Sequence, residues 1–271
     1  MAPLPLPDVR LSYGPLLLGV FFNMILYGVF LSQLLTYNRL FCHPQNAASP
    51  DGTLMKRQII SSFIAYLMVL ETANTALDMG MLYQPLILEY GQVPSKFPTV
   101  FVTQPILVVL VSTPIQIFFA WRIWKITNCI SPPVLIVGLA CTSLAGGLLT
   151  AARVIVVEYF YNKPLLHTSA LIWFVSSSCA DVLITICLVL VLSNRKTGFS
   201  ETDNVIDKLI RTTIQTGLVT ACFSILDVCF FETLPHYSVN FIFDLPLSKL
   251  YSNALLSTLN ARPRLSVSVV P

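Results

Sequence analysis

Seven charged side chains fall deep inside apolar runs of this sequence, away from the run ends: Glu71, Asp78, Arg153, Asp181, Asp227, Asp244 and Lys249. An ionisable group in hydrocarbon costs a few kcal/mol on insertion scales, so each one calls for a partner or a water-filled cavity. At about 1.5 Å of rise per helical residue, Glu71, Asp181 and Lys249 come out near mid-membrane. Asp78, Arg153, Asp227 and Asp244 come out in the outer third. Each depth then holds one cation and at least two carboxylates, a composition suited to pairing across a bundle. Glu71 and Asp78 are seven residues apart and share a helix face, while Lys249, Asn253, Ser257 and Asn260 form a polar stripe on another helix. Lys249 is expected to be neutralised by Glu71 or Asp181. Such a cluster, Asn253 included, either walls a ligand or ion pathway in which surplus carboxylates carry a proton or cation, or locks helices together. Both readings need the same inward-facing groups, so the cluster alone does not separate them.

Catalytic patterns do not compete for these residues. His43, His167 and His236 are scattered over loops with no metal-ligand spacing. There is no HExxH, GxSxG, phosphate-binding loop or GxGxxG. Ser176, Ser177 and Ser178 precede Asp181 without a histidine in reach, and read as helix-packing hydroxyls. Neither an enzymatic activity nor a metal or cofactor is expected.

The elements that carry the charged groups follow from composition. Of 271 residues, 55% are hydrophobic and 11% charged, with mean hydropathy +0.75, against roughly 25% charge in soluble domains. Seven mostly apolar stretches reach the length of about 20 residues that a helix needs to cross the hydrocarbon. They lie near Gly14–Tyr37, Gln58–Tyr83, Thr99–Trp124, Pro132–Val157, Leu171–Leu192, Leu209–Phe231 and Tyr237–Leu259. The expected fold is an all-α membrane protein with seven transmembrane helices. One membrane domain covers residues 1–262, and a short cytoplasmic tail covers 263–271. The first stretch is too long for a signal-peptide core and is expected to stay as an anchor.

Orientation follows from Lys and Arg near the helix ends, which stay cytoplasmic. With the N-terminus outside, the inner side holds Arg39, Lys56, Arg57, Arg122, Lys125, Arg195, Lys196, Lys208, Arg211, Arg262 and Arg264, and the outer side Arg10, Lys96 and Lys163. Eleven against three places the N-terminus outside and the C-terminus in the cytoplasm. The net charge of +3 is this inner-face bias and needs no nucleic-acid partner. The expected partners are the lipid bilayer, of plasma membrane or endomembrane, and an unidentified ligand or membrane protein.

Cys141, Cys179, Cys187, Cys222 and Cys229 fall inside helices, and Cys42 and Cys129 on the inner side, so no outer-loop disulfide is expected. The first inner loop, Asn38 to Arg57, carries two prolines and the turn signal Asp51-Gly52 and reads as irregular. Ser200 and Asp203 have capping-box spacing, so the sixth helix is expected to begin before the membrane. Pro105 and Pro114 predict a bend in the third helix. Gly138, Thr142 and Gly146, with Ser143, Gly147 and Ala151 alongside, predict close helix packing.

Several segments carry a resemblance. ADVLITICLVLVL at 180–192, RKTGFSETDNVIDKLIRTTIQTGLVT at 195–220 and SKLYSNALLSTLNAR at 248–262 are similar to a fungal, chiefly basidiomycete, family of seven-helix membrane proteins. That family is defined by a C-terminal domain of unknown function, here about residues 177–262, and FFAWRIW at 118–124 also looks similar. Gln215 stands where the family usually has asparagine, and Ala254 where it has serine. The resemblance implies the topology above and supplies no activity. A lysine in a seventh helix also resembles the retinal-binding rhodopsins, but Asp244 precedes Lys249 by five residues with Pro246 between, and the third-helix proton-acceptor pattern is missing. The expected function is a receptor or sensor, with a small transporter or channel, or a membrane scaffold, as the alternatives.

Overall fold

In a computed structural model, residues 9–41, 51–90, 98–157, 165–193, 200–234 and 237–260 are described. They form seven α-helices: α1 (Val9–Phe41), α2 (Asp51–Tyr83), α3 (Thr103–Thr127), α4 (Ser131–Val157), α5 (His167–Ser193), α6 (Ser200–Thr233) and α7 (Phe241–Asn260). The N-terminal lead-in, Cys42, the side chains of Ser200 and Asp203, and the tail from residue 261 lie outside the described residues or side chains. Sequential helices pack as neighbours, and α7 closes the ring against α1. Inside that ring α3 touches α2, α4, α5 and α7, and α7 touches α1, α2, α3 and α6.

Six of these helices contain stretches long and apolar enough to cross a membrane: Tyr13–Arg39, Gln58–Leu88, Thr99–Thr127, Ser131–Val157, His167–Ser193 and Ile210–Thr233. Their outward faces are apolar, with Phe21, Ile25, Val69, Leu135, Val156 and Leu190 among many large exposed side chains. Exposed apolar surface on this scale suits contact with lipid. The seventh helix differs: α7 has 20 residues, is rich in polar groups, and is buried at every position from Asp244 to Thr258 except Leu250 and Ser257.

Two expected boundaries shift. The first inner loop is shorter than the sequence suggested, because α1 runs to Phe41 and α2 begins at Asp51. Asp and Gly, read there as a turn, suit a helix start equally well, since Asp is a preferred cap and its charge favours the positive end of the helix. The third helix is preceded by a 3₁₀ turn, Thr99–Val102. Pro105 therefore lies in the first turn of α3, where the missing N–H has no helical partner to lose.

Pro114 is inside α3 and leaves the carbonyl of Leu110 without its helical donor. The Tyr66 hydroxyl of α2 donates to that oxygen at 2.9 Å. A π-helical turn, Gln84–Leu88, ends α2. Gln84 there donates to Glu89 Oε1 at 2.8 Å, and its own Oε1 accepts from the N–H and hydroxyl of Thr99, both at 3.0 Å. This ties the end of α2 to the start of α3.

Of the small residues on α4, Gly146 abuts α5, where an added Cβ meets Trp173 N at 2.8 Å. Gly147 abuts α3, where it meets Val109 Cγ1 at 2.3 Å. Ser143 and Ala151 are buried with them, whereas Gly138 and Thr142 are exposed. The two stripes thus diverge, one serving intramolecular packing and the other ending on the lipid-facing side.

Candidate functional site

Two apolar clusters occupy opposite ends of α1, α2 and α7. One contains Phe30, Leu67, Leu247 and Leu255, the other Leu16, Met81, Phe241 and Leu245. Between them lies a polar layer from the same helices: Asn23, Glu71, Asn74, Asp78, Ser248, Lys249 and Ser252, all 3% exposed or less. Charged groups so buried persist only when paired and hydrogen-bonded.

The pairing is explicit at Glu71. Lys249 Nζ lies 2.6 Å from Glu71 Oε2, with neither side chain reaching solvent. Ser252 donates to Glu71 Oε1 at 2.5 Å, Ser248 donates to Oε2 at 3.3 Å, and Asn74 donates to Ser248 Oγ at 3.1 Å. Tyr27 of α1 flanks the ammonium, its ring centroid 6.0 Å from Nζ, and its hydroxyl bonds Thr72 at 2.8 Å. Asp78, two turns along α2, accepts from Asn23 of α1 and is close enough to Lys249, Asp244 and Glu71 to feel their charges. One continuous group spans the depths that the sequence treated as two layers.

The other expected members separate. Asp181 belongs to a second site between α3, α5 and α7, where Tyr251 donates to Oδ2 at 2.5 Å and Gln116 to Oδ1 at 3.0 Å. Ser177 bonds the Tyr251 hydroxyl at 3.1 Å. Asp227 accepts from Asn240 at 3.3 Å near the opposite end of α6. Arg153 departs from its expected place: it is exposed, and its Nη1 reaches the Leu165 carbonyl at 3.3 Å instead of the buried carboxylates. The bearing of Arg153 around its helix was not readable from the sequence.

The stripe on α7 serves α1. Asn253 Nδ2 donates to Leu26 O at 3.1 Å and Lys249 O at 2.8 Å, and Asn260 Nδ2 donates to Gln33 O at 2.9 Å. The same two helices also pack closely at the start of α7, where a Cβ added at Gly19 of α1 would collide with the Phe241 carbonyl oxygen. Sequence reasoning missed Asn23, Asn74, Gln116, Ser248, Tyr251 and Ser252. The two serines flank Lys249 at i−1 and i+3, a signal available in the sequence, while Gln116 and Tyr251 are single polar groups in apolar runs.

Two cavities open beside these sites. One of about 40 Å³ lies between α3, α5, α6 and α7 beside Asp181 and Tyr251. The other, about 30 Å³, is lined by Gln104, Asp244 and aromatic rings including Trp173 and Phe231. Among the described residues no cluster of His, Cys, Asp and Glu is arranged to hold a transition metal. Away from both, His167 and Glu232 pair at 2.6 Å near the surface.

Fold and site together define a helical protein with several membrane-crossing segments and a charged, solvent-free centre. Residues 177–264 match a family model described as a family of unknown function (DUF6534). The match runs from the middle of α5 through α7, so it includes Asp181, Asp227, Asp244, Lys249 and Asn253 but not Glu71 or Asp78. No curated protein and no solved structure matches the chain.

Proposed function

We propose that the chain is a seven-span integral membrane protein of receptor or sensor type, with the N-terminus outside, the C-terminus cytoplasmic and no catalytic activity of its own. By the resemblance of its closing motif, it belongs with fungal, chiefly basidiomycete, membrane proteins of plasma membrane or endomembrane. A helix of 20 residues such as α7 is about 30 Å long, enough to cross the hydrocarbon when its polar face is covered by other helices. The distribution of Lys and Arg supports the orientation.

The observation that carries the receptor reading is the Lys249–Glu71 pair, which ties α2 to α7 at the solvent-free centre. A rearrangement that separates these helices has to break or re-pair two buried charges, so two discrete arrangements are favoured over gradual deformation. A ligand that favours one arrangement then shifts the population. The rival reading, a small transporter or channel, is supported by the carboxylate of Asp181 beside a cavity.

Reconstitution into liposomes separates the two. With a fluorophore on exposed Cys129, the receptor reading expects a ligand-dependent change in emission and proton, sodium and potassium fluxes equal to those of empty vesicles. Flux above empty vesicles overturns it in favour of transport.

A further inference from the structure

Asp78 stands second in line for a lysine that is already taken. Lys249 Nζ is 2.6 Å from Glu71 Oε2, while Asp78, 3% exposed, lies within range of three charges: Lys249 and Asp244 of α7 and Glu71 of its own helix. From α1 its partner is the neutral Asn23. The charged residues of α3, Arg122 and Lys125, lie at the far end of that helix from its tie to the end of α2. With Glu71 and Asp78 both ionised, one ammonium would face two carboxylates, and the solvent-free group would hold a net negative charge. A buried charge without a counterion is so costly that the group takes up a proton instead, and of two carboxylates sharing a site, one takes it.

The hydrogen bonds tell the two carboxyls apart. Glu71 receives only donors: the Lys249 ammonium and the hydroxyls of Ser248 and Ser252. That is the surrounding of an ionised carboxylate. Asp78 instead meets an amide with an idle acceptor: Asn23 Nδ2 donates to Asp78 Oδ2, and Oδ1 of the same fully buried amide has no donor. An ionised carboxylate has no hydrogen to offer that oxygen, whereas a carboxylic acid has one. An acid and a primary amide exchange two hydrogen bonds, N–H to carbonyl and O–H to amide oxygen. A proton on Asp78 supplies the second.

We infer that Asp78 is a proton-binding site, a neutral carboxylic acid paired with the Asn23 amide while Lys249 pairs with Glu71. Loss of the proton puts a second anion beside Lys249 in competition with Glu71, so the bound proton favours the present packing of α2 against α7. The protonation stands on the buried groups alone; that acidity is a signal the centre reads rests on the receptor reading.

The test uses the full chain purified in detergent, with infrared spectra recorded at neutral pH in H2O and in D2O. A protonated carboxyl gives a carbonyl stretch separate from the carboxylate bands, and deuteration shifts it. The spectrum of the wild type minus that of Asp78→Asn is expected to contain one such band. Asn23→Leu, which removes the donor to the acid's carbonyl, is expected to move the band to higher frequency. No such band in the wild type, or the same band in Asp78→Asn, overturns the site. Should Asp78→Asn fail to purify as a single species, Asn23→Leu decides: an unmoved band overturns the pairing. The signal is tested separately, with a pH-insensitive fluorophore on exposed Cys129 in proteoliposomes. Acidification is expected to change its emission in the wild type and not in Asp78→Asn; an infrared band without that change refutes acidity as the signal and leaves the site.

Discussion

Lys249 Nζ and Glu71 Oε2 are 2.6 Å apart at a point where neither side chain touches solvent. Removing one partner leaves an uncompensated buried charge, which costs about 3–5 kcal/mol, whereas removing both can be nearly neutral. Lys249→Met and Glu71→Met are each expected to lower the Tm of the detergent-purified protein sharply, and the double variant to recover most of the loss. Losses that simply add in the double variant refute the coupling.

A second expectation concerns α3. The Tyr66 hydroxyl takes the place of the donor that Pro114 removes from Leu110 O. Tyr66→Phe is expected to cost about 1 kcal/mol. In a Pro114→Ala background, where a helical N–H again faces Leu110 O, the same change is expected to cost much less. A double-mutant cycle of thermal stabilities reads this coupling, and equal costs in both backgrounds contradict it.

The glycines of α4 give a contrasted pair. Gly146→Ala places a Cβ 2.8 Å from the backbone nitrogen of Trp173, which cannot swing away, while Gly138→Ala meets nothing within 4 Å. The first is expected to push α4 from α5 and lower Tm. The second, freed of glycine's helix penalty of about 1 kcal/mol, is expected to hold or raise it. Loss of stability in Gly138→Ala would point to a contact with a second chain on the exposed stripe.

The length and order of the helices were legible because an apolar run of membrane-spanning length leaves few other readings. Glu71 was also named in advance as a candidate partner of Lys249, from depth alone. Bearing was not legible. In α1 to α6 the lipid-facing and core-facing sides are nearly equally apolar, so helical periodicity carries little signal about which way a side chain points. Arg153 shows the consequence, expected to face the bundle interior but exposed. Asp181 shows another: neutral donors from Tyr251 and Gln116 sit on separate helices with no spacing to link them. On α7 a single stripe understated the case, since Ser248 and Ser252 meet Glu71 while Asn253 and Asn260 meet α1.

Whether α7 crosses the membrane decides the parity of the topology. Six spans return both ends of the chain to one side; seven separate them. The helix carries Asp244 and Lys249, yet both are buried within the bundle, so its polar groups are hidden from lipid by α1, α2, α3 and α6. Insertion of such a helix is favourable once those neighbours are present, because Lys249 is paired with Glu71 and Asp244 is covered before they meet hydrocarbon. Epitope tags at the two ends are therefore expected to behave oppositely: the N-terminal tag stained on intact cells, the C-terminal tag only after permeabilisation. A cysteine at Tyr90, 86% exposed beyond α2, is expected to react with an impermeant maleimide on intact cells. Staining of both tags from the same side would reduce the spans to an even number and remove α7 from the membrane; reversed staining would keep seven spans and invert the orientation.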